Sequence, residues 1–454
     1  MATDLEQAYL YMRPSMVMSG DTSTTVLLST SGGRTSRGSA DHPHFFDGFL
    51  GHAEQTATAL LAVAKVARTR FYVPPGMLAA ILRNADPVVT SNGDRLRFES
   101  FSACCGVYAR LDLLAGTLDG PALDTGTTNV DFNPPMREAL AQVAGLDPIH
   151  LQVGQDVVVR TLDAQVTERK VPLPERWLKG FAEVQLAAST MQPALELPVV
   201  EARRFLRSLP ATASAGGPTM AVVSSGRGAR LTSRGGSRAV PLAGPERLRV
   251  LEPLLRHATA LRAYTSAEGT GASVWELDLH DARLVLALSP AVSRGFSGEG
   301  GFLWDLADDQ ASDDADLLSA LLAFEPRIDV DRLSREANLD SDRVVRALSR
   351  LATAGRVGYD CAEGAFFHRE LPYDPEALEA MHPRLRSAQA LVAEGALRTD
   401  PTDPDITFVR SGDTEHVVRR ANNGFTCSCP WYGKHKSSRG PCKHVLAAEL
   451  YGRA

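Results

Sequence analysis

Residues 427 to 446 read CSCPWYGKHKSSRGPCKHVL, and four side chains decide how this end of the chain folds: Cys427-x-Cys429, a twelve-residue gap, then Cys442-x-His444. A structural zinc ion takes four protein ligands in a tetrahedron, and short chelate pairs supply two corners each at little loop-closure cost. Two residues apart on an extended segment, Cys427 and Cys429 point to one side, and Pro430 then turns the chain. Cys442 follows Pro441, and His444 opens a helix, which makes it a better ligand than His435 in the intervening loop. Three sulfurs and one imidazole nitrogen suit a single structural Zn2+. With every corner filled by protein, Lewis-acid catalysis has no open position.

The Cys-x-Cys…Cys-x-His order, carried by Cys427-Ser428-Cys429-Pro430-Trp431 and Pro441-Cys442-Lys443-His444-Val445-Leu446, resembles the SWIM-type zinc finger. The resemblance implies a small ββα unit over 405–454 and a nucleic acid or protein as partner. The local sequence agrees, with β-like runs at Ile406–Val409 and Glu415–Arg420 around the turn residues Ser411-Gly412-Asp413. The loop carries Lys434, Lys436, Arg439 and Lys443 with no acidic residue between Cys427 and His444. Such a loop can hold a phosphate backbone, with Trp431 stacking a base or packing beneath the metal.

A second unit spans 313–370. An apolar helical face at Leu317, Leu318, Leu321 and Leu322 is followed by a short helix, Val330 to Ala337. The turn Asn338-Leu339-Asp340-Ser341 then caps a longer helix with Val344, Val345, Leu348 and Leu351 on one side. Gly355 ends it, and Val357–Tyr359 and Ala365–Phe367 read as a hairpin. The order is similar to a winged helix, whose third helix would offer Arg343, Arg346 and Arg350 to DNA. Eight basic against twelve acidic residues between 313 and 370 oppose phosphate attraction and favour a structural or protein-binding role.

Upstream, the chain reads as a mixed α/β region over 1–210 and a β-rich lobe over 211–304, so the fold class is α+β in several domains. Val107-x-Ala109-x-Leu111-x-Leu113 alternates as a half-buried strand should, with Tyr108, Arg110 and Asp112 on the other face. Asn133-Pro134-Pro135 starts a helix. Ala211 to Arg238 reads as a linker or loose hairpin, and Ser297 to Gly301 as a glycine turn without phosphate-loop spacing. The stretch Gly126 to Asn133, GTTNVDFN, is similar to the N-terminal regions of bacterial SWIM-finger proteins. Many of those are encoded beside MoxR-type ATPases and von Willebrand A-domain proteins, which implies an adaptor.

The 454 residues are 44% hydrophobic and 22% charged, with 48 basic and 54 acidic side chains and a net charge of −6. Such a chain can bury a large core, and a mildly acidic balance gives no global nucleic-acid footprint. Six cysteines outside any disulfide framework, no leader and no apolar run of membrane length point to a cytoplasmic protein. Asp41, His42, His44, His52, Glu54 and the Cys104-Cys105 pair are the polar groups nearest to catalytic chemistry, but no peptidase, nucleophile-elbow or phosphate motif accompanies them. The expectation is a non-enzymatic binding protein with no small-molecule substrate.

Overall fold

A computed structural model describes residues 8–11, 14–19, 23–71, 86–145, 148–154, 169–172, 175–211, 220–226, 228–234, 236, 239–266, 271–293, 295–296, 303, 309–371, 383–421, 424–436 and 439–453. Its centre is a ten-stranded antiparallel sheet. The strand order is Met191–Pro198, Ala260–Ser266, Ser273–Leu279, Ala282–Leu288, Val107–Leu113, Leu96–Phe101, Val88–Ser91, Gly126–Asn129, Gly33–Thr35, Gly38–Ala40. A five-stranded sheet lies beside it, with Ile149–Val153 parallel to Thr24–Leu28. The large sheet takes strands from both sides of the boundary expected at 210/211. Strand Met191–Pro198 pairs with Ala260–Ser266, so the two expected lobes share one hydrogen-bonded ladder.

Helix α1 (Ala53–Arg68) and helix α2 (Pro134–Gln142) cover one face of this sheet system. Asn133 caps α2 as its sequence requires, accepting from the Met136 amide at 3.0 Å. Leu111, Leu113, Phe98, Leu284, Leu286 and Trp275 point into the core on this side. Helix α3 (Glu175–Ser189) lies against the opposite side, where Trp177 and Phe181 meet Phe101 and Tyr108. Helix α4 (Val199–Ser208) follows directly on the edge strand. Within 211–238, expected as a linker or loose hairpin, Met220–Ser225 and Gly228–Thr232 pair as a hairpin. The glycine turn at Ser297–Gly301 lies outside the described residues.

The opposite face of the large sheet is charged and nevertheless buried. All seven residues of Val107–Leu113 are buried, so this strand is not half-buried as its alternation suggested. In antiparallel register Arg97 faces Asp112, which faces Arg283. Onto this face drops a hairpin, Val357–Asp360 with Ala365–His368. Its Asp360 meets Arg283 at 2.9 Å, Arg110 at 3.1 Å and Arg97 at 3.6 Å. Burial alone would raise this carboxyl, but the guanidinium groups of Arg110, Arg283 and Arg97 outweigh it and hold it well below the usual range. Glu363 adds contacts to Arg95 at 2.5 Å and Arg283 at 3.0 Å. Glu99 pairs with Arg369 and accepts from the Tyr108 hydroxyl at 2.5 Å. The Arg97 guanidinium also stacks 3.9 Å from the Phe367 ring centroid.

Three helices lead into this hairpin: α5 (Asp309–Ser319), α6 (Val330–Ala337) and α7 (Ser341–Thr353). Asp329 and Asp340 cap the last two, and Asn338 sits at φ 54° between them. Helix α7 packs on α5 and on α3. Arg343, expected on an outward face, instead pairs with Asp314 of α5 at 2.6 Å. Arg346 is exposed and Arg350 half-buried.

Removing one charge from a buried cluster leaves its partners uncompensated. Asp360→Asn is expected to lower unfolding free energy by about 3–5 kcal/mol in urea titration, while Glu415→Gln, which breaks an exposed pair with Arg398, costs under about 1 kcal/mol. Glu370 shares the same pH direction: against the upward push of burial, hydrogen bonds with His368 and Arg356 bring its carboxyl down to about 2. Carboxylates depressed in the fold stabilise it fully above their unfolded value, about pH 4. Stability should therefore fall as pH drops from about 4 towards 2, a loss that Asp360→Asn makes shallower.

Candidate metal centre

The C-terminal unit begins earlier than 405 and is larger than ββα. Its sheet has four strands, Leu397–Thr399, Ile406–Ser411, Thr414–Ala421 and Gly424–Cys427, paired in that order. Asp400 accepts from the Thr402 amide and hydroxyl, which turns the chain between the first two strands. Helices α8 (Pro383–Ala393), α9 (Pro430–His435) and α10 (Lys443–Arg453) complete it, with α8 packed along α10.

Cys427 ends the last strand opposite Val418, and Cys429 caps α9. Cys442 and His444 open α10. The ligand atoms of Cys427, Cys429, Cys442 and His444 all lie within 4.8 Å of one another, and all four residues are buried. The Cys427 sulfur lies 3.8 Å from His444 Nδ1. Backbone amides already serve two sulfurs: Cys429 N–H donates to Cys427 Sγ at 3.4 Å, and Tyr432 N–H to Cys429 Sγ at 3.3 Å. His435 stands apart over Trp431, with ring centroids 5.0 Å away.

The electrostatics suit a dication. With protons alone to share, a hydrogen bond from Cys427 brings the Cys442 thiol down to about 4, whereas that same bond and burial push Cys427 up, and burial pushes Cys429 up. Three buried sulfurs cannot all be thiolates without a compensating charge. A divalent ion supplies it, and soft thiolate with imidazole is a donor set that zinc takes.

Residues around the cluster divide into packed and exposed groups. Trp431 is half-buried under the Arg384 guanidinium, 5.0 Å from its ring, and Arg384 donates to the carbonyls of Arg439 at 2.7 Å and Pro441 at 3.0 Å. Lys443 donates to Ser411 Oγ at 2.9 Å. Arg439 is half-buried; Lys434 and Lys436 are exposed. Two residues escaped the sequence reading. Arg384 lies outside the ligand spacing, and His416, whose ring lies 4.2 Å from that of His444, sits on a strand whose neighbours only the fold supplies. Of the upstream candidates, His42 Nδ1 lies 3.0 Å from the Thr30 carbonyl, Cys104 Sγ lies 3.5 Å from Ser102 Oγ, and Cys105 is buried at φ 54°.

A Cys442→Ser, His444→Ala variant should lose the bound metal, as read by elemental analysis of the purified chain. Chelation of the wild type should expose the amides of 397–449 to hydrogen exchange while the large sheet stays protected, since the metal's binding energy is local folding energy.

No curated protein matches the chain. Among solved structures, one of Proliferating Cellular Nuclear Antigen from Entamoeba histolytica is similar at 10% identity over 54% of this chain and 98% of that chain, with a TM-score of 0.34, below the level at which two chains share a fold. No helix among the described residues is long and apolar enough to cross a membrane. A family model described as SWIM zinc finger matches residues 416–452, a segment that holds all four clustered side chains, and the chain thus carries a SWIM zinc finger at its C-terminal end.

Proposed function

We propose that the chain is a zinc-dependent, non-enzymatic interaction protein and that its finger meets the phosphate backbone of a nucleic acid. One structural Zn2+ is held by Cys427, Cys429, Cys442 and His444, and its binding energy shapes a loop too short to build a core. The observation that carries the reading is the charge of that loop. Lys434 and Lys436 are exposed, Arg439 and Lys443 flank them half-buried, Arg384 braces the loop from α8, and no acid interrupts the segment from Cys427 to His444. Trp431 acts by packing, since Arg384 already covers it.

The winged-helix-like unit at 313–370 has a different part in this reading. Its hairpin is spent on the large sheet, Arg343 is spent on Asp314, and Arg346 and Arg350 stand in a segment with excess acid. It serves as a structural and protein-docking module. A second reading, a protein adaptor of a MoxR-type ATPase and von Willebrand A-domain system working in the cytoplasm, draws on one observation. Leu317 and Val345 are 46% and 42% exposed on the packed helices α5 and α7, which is apolar area suited to a protein partner.

Fluorescence anisotropy with single-stranded and duplex oligonucleotides at two salt concentrations separates these readings. Binding should weaken steeply with salt, and Lys434→Ala, Lys436→Ala should flatten the log–log salt slope by roughly 2. Absence of nucleic-acid binding by zinc-loaded protein would leave the adaptor reading in place.

A further inference from the structure

His52 and Glu54 stand next to each other in sequence, but the structure adds two partners from far along the chain. His52 is exposed at the start of α1 with φ 50°, and its carbonyl accepts the Thr56 amide at 2.9 Å. His280 is exposed on the turn between strands Ser273–Leu279 and Ala282–Leu288. Its backbone is clamped from both sides by the buried Gln55 side chain, which donates to the His280 carbonyl at 2.8 Å and accepts its amide at 3.2 Å. The two rings thus project from fixed backbones, and their centroids lie 5.3 Å apart at an interplanar angle of 31°. Two imidazoles sharing one tetrahedral ion through Zn–N bonds of about 2.0–2.1 Å place their centroids about 5 Å apart.

The neighbouring groups are those a cation needs. Glu54 Oε1 lies 2.6 Å from Arg256, and Arg256 Nε donates to His257 Nε2 at 3.0 Å. A guanidinium therefore bridges a carboxylate and an accepting imidazole beside the histidine pair. As the acceptor of that hydrogen bond, His257 Nε2 presents its lone pair. Arg256 is 58% exposed and can withdraw into solvent.

We propose that His52 and His280, completed by Glu54 or His257 when Arg256 swings out, form a second divalent-metal site on the body of the protein, for an imidazole-preferring ion such as Zn2+ or Ni2+. These groups do not converge on one point as those of the finger do, and Arg256, bound to both Glu54 and His257, competes with the ion for them. Bound metal joins the start of α1, the segment after the 3-10 turn Pro245–Leu254 and a hairpin of the large sheet. The site is independent of the finger and its partner.

The test is calorimetric titration of untagged, full-length, zinc-loaded protein with Ni2+. One saturable equivalent is expected beyond the finger's zinc, weakened at least about tenfold by His280→Ala or His52→Ala and tightened by Arg256→Gln, which removes the competitor. The imidazoles replaced are exposed, and unchanged thermal melting of each variant shows that the fold survives. Absence of saturable binding, or equal binding by wild type and both histidine variants, overturns the proposal. Loss of Ni2+ binding in Cys442→Ser, His444→Ala with none in His280→Ala also overturns it, because the ion would then sit in the finger.

Discussion

Asp360 is a carboxylate taken out of water and surrounded by the guanidinium groups of Arg97, Arg110 and Arg283, and the body of the protein is arranged around it. A large sheet normally buries its second face with apolar side chains. Here that face carries arginines and acids on neighbouring strands, and Arg97, Arg110 and Arg283 share the one carboxylate of Asp112. The hairpin at 357–368 supplies the missing charge. Since a buried cation without an anion costs more than the pair contributes, the hairpin belongs to the packing of the sheet.

The finger relies on another version of the same constraint. Its three sulfurs are buried beside apolar side chains such as Val409, Val418, Val445 and Leu446, and only a dication lets all three be anionic together. The amides of Cys429 and Tyr432 and the Arg384 bridge to the loop carbonyls bring the surrounding backbone to the same geometry. Charge balance at the metal thereby fixes the loop on which Lys434 and Lys436 are displayed. Proposed partner binding is a consequence of local folding, which ties it to the metal.

Much of this was legible in the residues. The four metal-binding side chains, the caps Asn133 and Asp340, the hairpin at 357–368 and the helix at 330–337 all announce themselves through short-range chemistry: chelate spacing, side-chain caps, turn residues and periodicity. The limits of the finger were less legible. Leu397–Thr399 is too short to read as a strand alone, and it becomes one by pairing with Ile406–Ser411. Tyr108, Arg110 and Asp112 looked like a solvent face because polar alternation in a strand reports two faces without saying what covers the second.

What the sequence by itself determined is therefore local: a SWIM finger at the C-terminal end, an α+β composition, and the helix and hairpin order of 313–370. The tertiary structure decided which charges meet. Arg97, Arg110, Arg283 and Asp360 come from segments up to hundreds of residues apart, as do His52, His257 and His280. The physical reason is that a charge on a strand or turn carries no mark of its partner. Complementarity across a sheet is set by register and packing, and these exist only once the chain has folded.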